Sequence, residues 1–365
     1  MSQTQPISRQ KNSNLTDEQL QVLQSLRASR MILPIGIGLS VVALLLWKQY
    51  KPHEFSKIEW TTHTFLWIFA AFVLLVMRHL AFSLRMYILA QGHFSFRKCI
   101  ELIFIFEFSL CITPTTVGGS AVSLFVMTQE KLSAARTTTI VIYKMVLDTI
   151  FFIGTLPILF LIAGPQIIRP GMFHISDMDW RARIFFFSYL GMAAYGTFFF
   201  VGLFVHPKWI KQFLVWWTHF PLLSRFQQSA IKLGDEIILA SKDMKNLGLK
   251  QHIGAFLCTW TAWTCKFFLI SCLIIGIVNP PMTALREVLL YSRLESMFII
   301  MAFSPSPGGA GFAEFAFGHF LSDFVNIASV ALITAFIWRL MSYYAYLAAG
   351  AIIVPNWIRK VFMNG

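Results

Sequence analysis

The chain has 365 residues, of which 56% are hydrophobic, 16% aromatic and only 13% charged, with a formal net charge of +13. A soluble domain of this length would be less apolar, and in so apolar a chain a basic excess marks loops on the cytoplasmic side of a membrane, not a nucleic-acid surface. Five cysteines without a CxxC, nine scattered histidines without an HExxH, and the lack of a P-loop or dinucleotide fingerprint point to no disulfide framework, metal, cofactor or nucleic-acid partner.

Residues 1–30 form a polar tail that is not expected to act as a cleavable signal, because thirty polar residues precede the first apolar run. Leu20, Leu23 and Leu26 share one helical face and Thr16 with Gln19 suits a capping box, which fits a short helix on the membrane surface; a frayed tail is the alternative. Six apolar runs follow: 31–47, 65–76, 140–164, 184–205, 253–278 and 329–354. With their flanks each reaches the ~20 residues that a spanning helix requires. Cys258, Cys265 and Cys272 repeat every seven residues in the fifth run and read as small packing residues on one face. The loop 206–252 is amphipathic. Trp209, Phe213, Trp216 and Trp217 cluster before Pro221, and Lys211, Lys232, Lys242 and Lys245 interleave with apolar residues. It reads as helices lying at the inner interface, attracted to anionic lipid.

Two further apolar segments are broken by proline and glycine. They are "FEFSLCITPTTVGGSAVSLFVM" (residues 106–127) and "SPSPGGAGFAE" (residues 304–314) with its flanks. An offset of 191 superposes Pro114 on Pro305 and Gly118 on Gly309, and an offset of 195 superposes "YKMVLD" on "WRLMSY". Two repeat halves emerge, about 62–163 and 253–354. If each broken segment is a re-entrant hairpin that returns to the side it entered, 18 basic residues fall inside and seven outside; full crossings would leave the basic loop 206–252 outside, against the positive-inside tendency. The hairpins then enter from opposite sides. The expected fold is an all-α polytopic membrane protein with about six full spans plus two re-entrant hairpins in an inverted repeat, built as one domain over 31–365, in a bacterial inner membrane with both termini cytoplasmic.

Irregular backbone at bilayer depth is tolerated only where it is buried in protein or lines a polar cavity. Two hairpin tips meeting near the midplane would make such a place, with free N–H groups that favour anions. Lys144 and Asp148, one turn apart, and Arg339 lie inside spans. Left unpaired, three such charges would cost roughly 8–10 kcal/mol on insertion scales, so they are expected to face a polar interior. A Lys144–Asp148 pair that only holds helices together is the alternative.

"PSPGGAGFAE" resembles the P-x-PGG-x-G-x-x-E signature of the transmembrane flippase domain of lysylphosphatidylglycerol synthases and related bacterial flippase-like proteins. "TPTTVGGS", "LRMYILAQGHFSFRKCIELI", "MVLDTIFF" and "WRLMSYYAYL" are similar to other parts of that domain, and the resemblance covers most of residues 31–355. Ser120 and Ser123 stand where the family carries an acidic and a basic residue, and Tyr143-Lys144 where many members carry Glu-Arg. The resemblance implies movement of a phospholipid, often anionic or aminoacylated, between leaflets. It implies that Pro114, Gly118 and Gly119 shape the first tip and that Pro305, Pro307, Gly308, Gly309 and Gly311 shape the second. Glu314, Asp148 and Arg339 would line the cavity, and Arg85, helped by Arg78, would meet a headgroup phosphate near the cytoplasmic surface. Arg78 and Arg85 could equally be snorkelling arginines at a helix end.

The aminoacyl-transferring chemistry of the synthases needs a large soluble domain, whereas the longest polar segments here are the 30-residue tail and the 47-residue loop. The chain is therefore read as a transporter rather than an enzyme, driven by an ion or lipid gradient because no nucleotide site exists. The alternatives are a membrane glycosyl or lipid transferase, with Glu54 or Glu59 as the only candidate bases between the first two spans, and a structural partner of a membrane complex.

Overall fold

Backbone polar groups in hydrocarbon must be satisfied within the chain, and a helix does this locally. The computed structural model describes residues 59–113, 116–219, 224–244, 246–304, 306–309 and 311–363, and every regular element among them is helical. The tail, the 31–47 run, Glu54, Pro114 and Pro305 lie outside these residues. The long helices are α1 (Thr62–Ala90), α4 (Ala134–Ala163), α5 (Trp180–Phe200) and α8 (Leu249–Val278). Between them lie α2 (Phe96–Ile112), α3 (Thr116–Gln129), α6 (Pro207–Trp217) and α7 (Gln227–Met244). The chain closes with α9 (Ala284–Met301), α10 (Phe312–Phe320), α11 (Ala328–Arg339) and α12 (Ala345–Met363), the last two joined by a π-helical turn at Leu340–Tyr344.

Local chemistry sets the ends. Thr61, Ser95, Ser133 and Asp179 place a side-chain oxygen on an otherwise orphaned N–H at the starts of α1, α2, α4 and α5. Five stretches are long and apolar enough to cross a bilayer: Thr62–Ala90, Ala135–Ile167, Trp180–Val205, Leu249–Val278 and Ala328–Val361. Their outer faces stay apolar and uncovered, with Leu161 85% and Phe187 68% exposed. Such faces are stable against lipid tails, and the protein is an α-helical polytopic membrane protein.

The two broken segments fold back on themselves. Lys98, in the first turn of α2, pairs with Glu130, just past the end of α3, at 2.6 Å, and Trp357 of α12 donates to the same carboxylate at 2.6 Å. In the second, Arg286 at the start of α9 donates to the backbone oxygen of Asp323, beyond α10, at 3.4 Å. Arg293, also on α9, grips the Asp323 carboxylate at 3.0 and 3.2 Å. Each segment thus begins and ends at the same end of the bundle.

The order long helix, broken pair, long helix occurs twice: α1, α2–α3, α4 and then α8, α9–α10, α11–α12. The leading helices α1 and α8 run antiparallel against each other. Arg85 reaches Thr259 at one end (2.9 Å), while Trp67 packs where Gly276 has no Cβ at the other. The broken pairs exchange partners. Phe108 of α2 sits against Gly350 of α12, and Glu295 of α9 bonds Thr155 of α4.

Two apolar cores result. One gathers the C-terminal half of α1, α2, α3, the first half of α4 and α12. The other gathers the second halves of α4 and α8 with α9, α10 and α11. On α4 the change falls between Leu147 and Phe151, on α8 between Ala262 and Phe267, and across α11–α12 between Trp338 and Tyr343. The loop 206–252 folds as α6 and α7, tied by a Lys211–Asp235 pair at 2.5 Å and docked onto α4 by Arg136–Asp243 at 2.6 Å. Its Trp209, Trp216 and Trp217 stay exposed.

Because the mouth of the first broken pair is closed by Lys98 and Glu130, cysteines at both positions are expected to be joined by a short bifunctional maleimide in intact membranes. A segment that crossed from one face to the other would give no intramolecular product.

Candidate functional site

The charges gather at the boundary between the two cores and just inside them. Arg78 and Arg85 lie seven residues apart on α1, two helical turns, and so face the same way. Both are buried, at 6% and 3% exposed, which overturns the snorkelling alternative. Arg78 donates to Glu107 of α2 at 2.8 Å and to the Tyr346 hydroxyl at 3.2 Å. Arg85 donates to Asp148 of α4 at 2.6 Å and to Thr259 at 2.9 Å. Trp263 adds an N–H to the same Asp148 oxygen at 3.2 Å. Asp148 is therefore engaged by Arg85 from another helix, and a self-contained Lys144–Asp148 pair is not what holds α4.

The second break is built around Arg339. Gly308, Gly309 and Gly311 have φ of 57°, 69° and 79°, a left-handed backbone in which a Cβ is strained. At Gly308 a Cβ would also overlap the ring of Tyr343 and press on the Cys111 carbonyl of α2. Arg339 donates to the Gly308 carbonyl at 2.9 Å and pairs with Glu314 at 3.2 Å. The other Glu314 oxygen accepts the Gly311 N–H at 2.8 Å, capping α10. The glutamate of the PGG-x-G-x-x-E element thus closes the helix start and neutralises the arginine that holds the tip. Tyr343 stacks under the Arg339 guanidinium at 3.9 Å and donates to the Cys111 carbonyl at 3.3 Å. Cys111 ends α2 beside the first break, so the two breaks meet across one tyrosine.

Two lysines complete the layer. Lys144 lines a narrow cleft with Arg85, Phe82, Phe106, Ser120 and Ser123, which has about 30 Å³ of free space, enough for one or two waters. Lys266 of α8 lies over the rings of Trp263 and Phe298 at 4.6 and 4.2 Å. No ion pair at either lysine occurs among the described residues. Five basic side chains (Arg78, Arg85, Lys144, Lys266, Arg339) share the layer with three acidic ones (Glu107, Asp148, Glu314), so basic groups outnumber acidic ones by two.

The structure thus brings Arg78, Asp148, Gly308, Gly309, Gly311, Glu314 and Arg339 to that boundary or beside it, and sets Arg85, Ser120 and Lys144 around a cleft in the adjoining first core. Gly118 and Gly119 lie in the first turn of α3, and Pro307 opens the turn Pro307–Gly309. Arg339 has a partner in Glu314 that its own helix did not offer. Glu107, Lys266 and Tyr346 escaped the sequence reading. The signal was present for two of them, as single charges inside the apolar strings "FIFEFSL" and "TCKFF".

The family described as the lysylphosphatidylglycerol synthase TM region matches residues 31–350. A UPF0104 membrane protein of Archaeoglobus fulgidus is 23% identical over 333 residues, covering 88% of this chain and 95% of its own. No solved structure matches.

The tight fit at Gly308 makes a graded glycine series informative. Gly308→Ala is expected to destabilise the protein by about 1–2 kcal/mol from the left-handed backbone alone, and further through the Tyr343 overlap. Gly318→Ala, at a helical position with open space, is expected to be neutral. Thermal unfolding in detergent reads both; equal effects would contradict a strained tip.

Proposed function

Because the chain belongs to the lysylphosphatidylglycerol synthase transmembrane-region family, we propose that it is a flippase-like transporter that moves a phospholipid with an anionic headgroup between leaflets. The observation that carries this reading is that basic side chains outnumber acidic ones by two in a layer set among the apolar cores, with Lys144 and Lys266 the two that no acid pairs among the described residues. A charge so placed is costly unless compensated, and a phosphodiester supplies the missing negative charge through charge-assisted bonds. An aminoacylated headgroup fits less well. Its amine would need a carboxylate, and Glu107, Asp148 and Glu314 are already engaged by arginines.

In this reading the two broken pairs are re-entrant hairpins that enter from opposite faces and meet near the midplane at Tyr343. The recurring element order, the antiparallel α1 and α8, and the closed mouth of each pair support an inverted repeat, the plan by which many carriers expose one site alternately. The charge count favours cytoplasmic termini and loop 206–252 in a bacterial inner membrane. The cleft beside Lys144 is water-sized and cannot hold a headgroup, so in this reading lipid entry requires the hairpins to part. An ion or lipid gradient would drive the cycle.

The test is reconstitution into vesicles with fluorescent phosphatidylglycerol or phosphatidylcholine. Wild-type protein should move the anionic lipid faster. Lys144→Gln with Lys266→Gln should lower the anionic rate about tenfold or more, from the loss of two charge-assisted contacts, and leave the zwitterionic rate nearly unchanged. Equal rates for both lipids in wild type and variant, at normal expression, would contradict the reading. A single cysteine at Thr128 should label from the cytoplasmic side and one at Ser322 from the outer side; the same side for both would contradict the inverted arrangement.

A further inference from the structure

One buried carboxyl takes no part in the cation-rich layer. Glu295 on α9 is 0% exposed, and no ion pair at it occurs among the described residues. One of its oxygens contacts the Thr155 hydroxyl of α4, and the other has no hydrogen-bond partner. Thr155 of α4 bonds it, and Tyr189 of α5 and Tyr291 of its own helix lie near enough to feel its charge. Arg293, two residues earlier, turns away and donates to the backbone of Gln166 and Phe320 and to Asp323. No lysine, arginine or histidine among the described residues bonds or pairs with Glu295.

Hydrogen accounting decides its protonation. A hydroxyl has one proton. The Thr155 oxygen lies 2.6 Å from the Phe151 carbonyl one turn back, and a carbonyl only accepts. The Thr155 hydroxyl is within donating reach of both the Phe151 carbonyl and Glu295, but its one proton cannot fill both close contacts; with that proton on the carbonyl, the hydroxyl meets Glu295 with a lone pair. The close Glu295–Thr155 contact is then a hydrogen bond only when the carboxyl is the donor. The second oxygen gives the same answer. An ionised carboxylate there would bury a charge with no cation and no second donor.

From this geometry we propose that Glu295 is a proton-binding site whose carboxyl holds a proton in the closed state and releases it when α9 parts from α4. Thr155 lies seven residues beyond Asp148, two turns along the same helix. The Glu295–Thr155 bond therefore fastens the second broken pair to the helix that carries Lys144 and Asp148. On release the proton passes to water and the carboxylate stays on α9. The closed packing is favoured while the proton is bound and is lost as pH rises through the carboxyl's titration, because the bond to Thr155 disappears with the proton. Resting on the transport reading above, release of this proton is coupled to the parting of the hairpins that admits lipid.

Infrared spectra of the purified full chain test the site without any lipid assay, since a protonated carboxyl has its own C=O band. At neutral pH wild type should show the band, and Glu295→Gln should remove it. Glu314→Gln should keep it, because that carboxylate faces Arg339. Thr155→Val should shift the band, since the acceptor is gone, and it serves as an independent probe if Glu295→Gln folds poorly. A full band in Glu295→Gln, or an unmoved band in Thr155→Val, would overturn the proposal. In vesicles, anionic-lipid movement by wild type should rise with pH by up to about tenfold per unit, the limit for one proton, and Glu295→Gln should lose that dependence. A variant with the wild-type pH profile would overturn the coupling. A wild type with the band but without lipid movement would instead contradict the transport reading and leave the proton site standing.

Discussion

Burying charge between two apolar cores is the constraint from which the rest of the structure follows. A cation taken out of water without a partner is penalised by several kcal/mol even after relaxation. Here the partners come from elsewhere in the chain: Arg78 meets Glu107 and Tyr346, Arg85 meets Asp148 and Thr259, and Arg339 meets Glu314. Each bond joins two helices, so the layer fixes how α1, α2, α4, α8, α10 and α11–α12 sit around it. Removing one member of such a pair strands the other, at about 3–5 kcal/mol. The same accounting underlies the proposed function, because among the described residues the acidic partners run out before the basic groups do.

The broken segments obey the same rule for neutral groups. Backbone freed by the turn Pro307–Gly309 finds donors and acceptors within the protein: the Gly308 carbonyl takes Arg339, and the Gly311 N–H takes Glu314. One arginine thereby holds the tip and one glutamate balances both the arginine and the helix start. Tyr343 needs the space left by Gly308 and bonds the end of α2, so movement at one break is felt at the other. A tip fixed by few bonds, between segments anchored at opposite ends, is a natural place for two alternative packings.

Much of this was legible in the sequence, and the reasons for the gaps are physical. Apolar runs of spanning length marked the five described long helices, and the proline and glycine positions marked both breaks. The resemblance carried by "PSPGGAGFAE" named the family that residues 31–350 match. Pairings were not legible. Arg78 and Tyr346 are 268 residues apart, and Arg85 and Asp148 are 63 apart; spacing along one helix suggested Lys144–Asp148 because only local neighbours can be read from a string. Glu107 and Lys266 were passed over because each is a single charge without a motif, although its cost in an apolar run was itself the signal. The role of Glu314 as a cap could not be separated from cavity lining until the Gly311 N–H was seen to point at it. Glu295 needed the opposite kind of information, the absence of a paired cation among the described residues around a buried acid.

Lipid binding by the purified protein tests the central claim most directly, because it asks what completes the charge balance and nothing more. Native mass spectrometry of the full chain in detergent, with phosphatidylglycerol and phosphatidylcholine in equal amounts, should show the anionic lipid retained in preference to the zwitterionic one. That preference should disappear when Lys144 and Lys266 are both replaced by glutamine. Equal retention of the two lipids by the wild-type protein, or a preference unchanged in the double variant, would mean that the surplus cations do not bind a headgroup and that the layer serves only to hold the helices together.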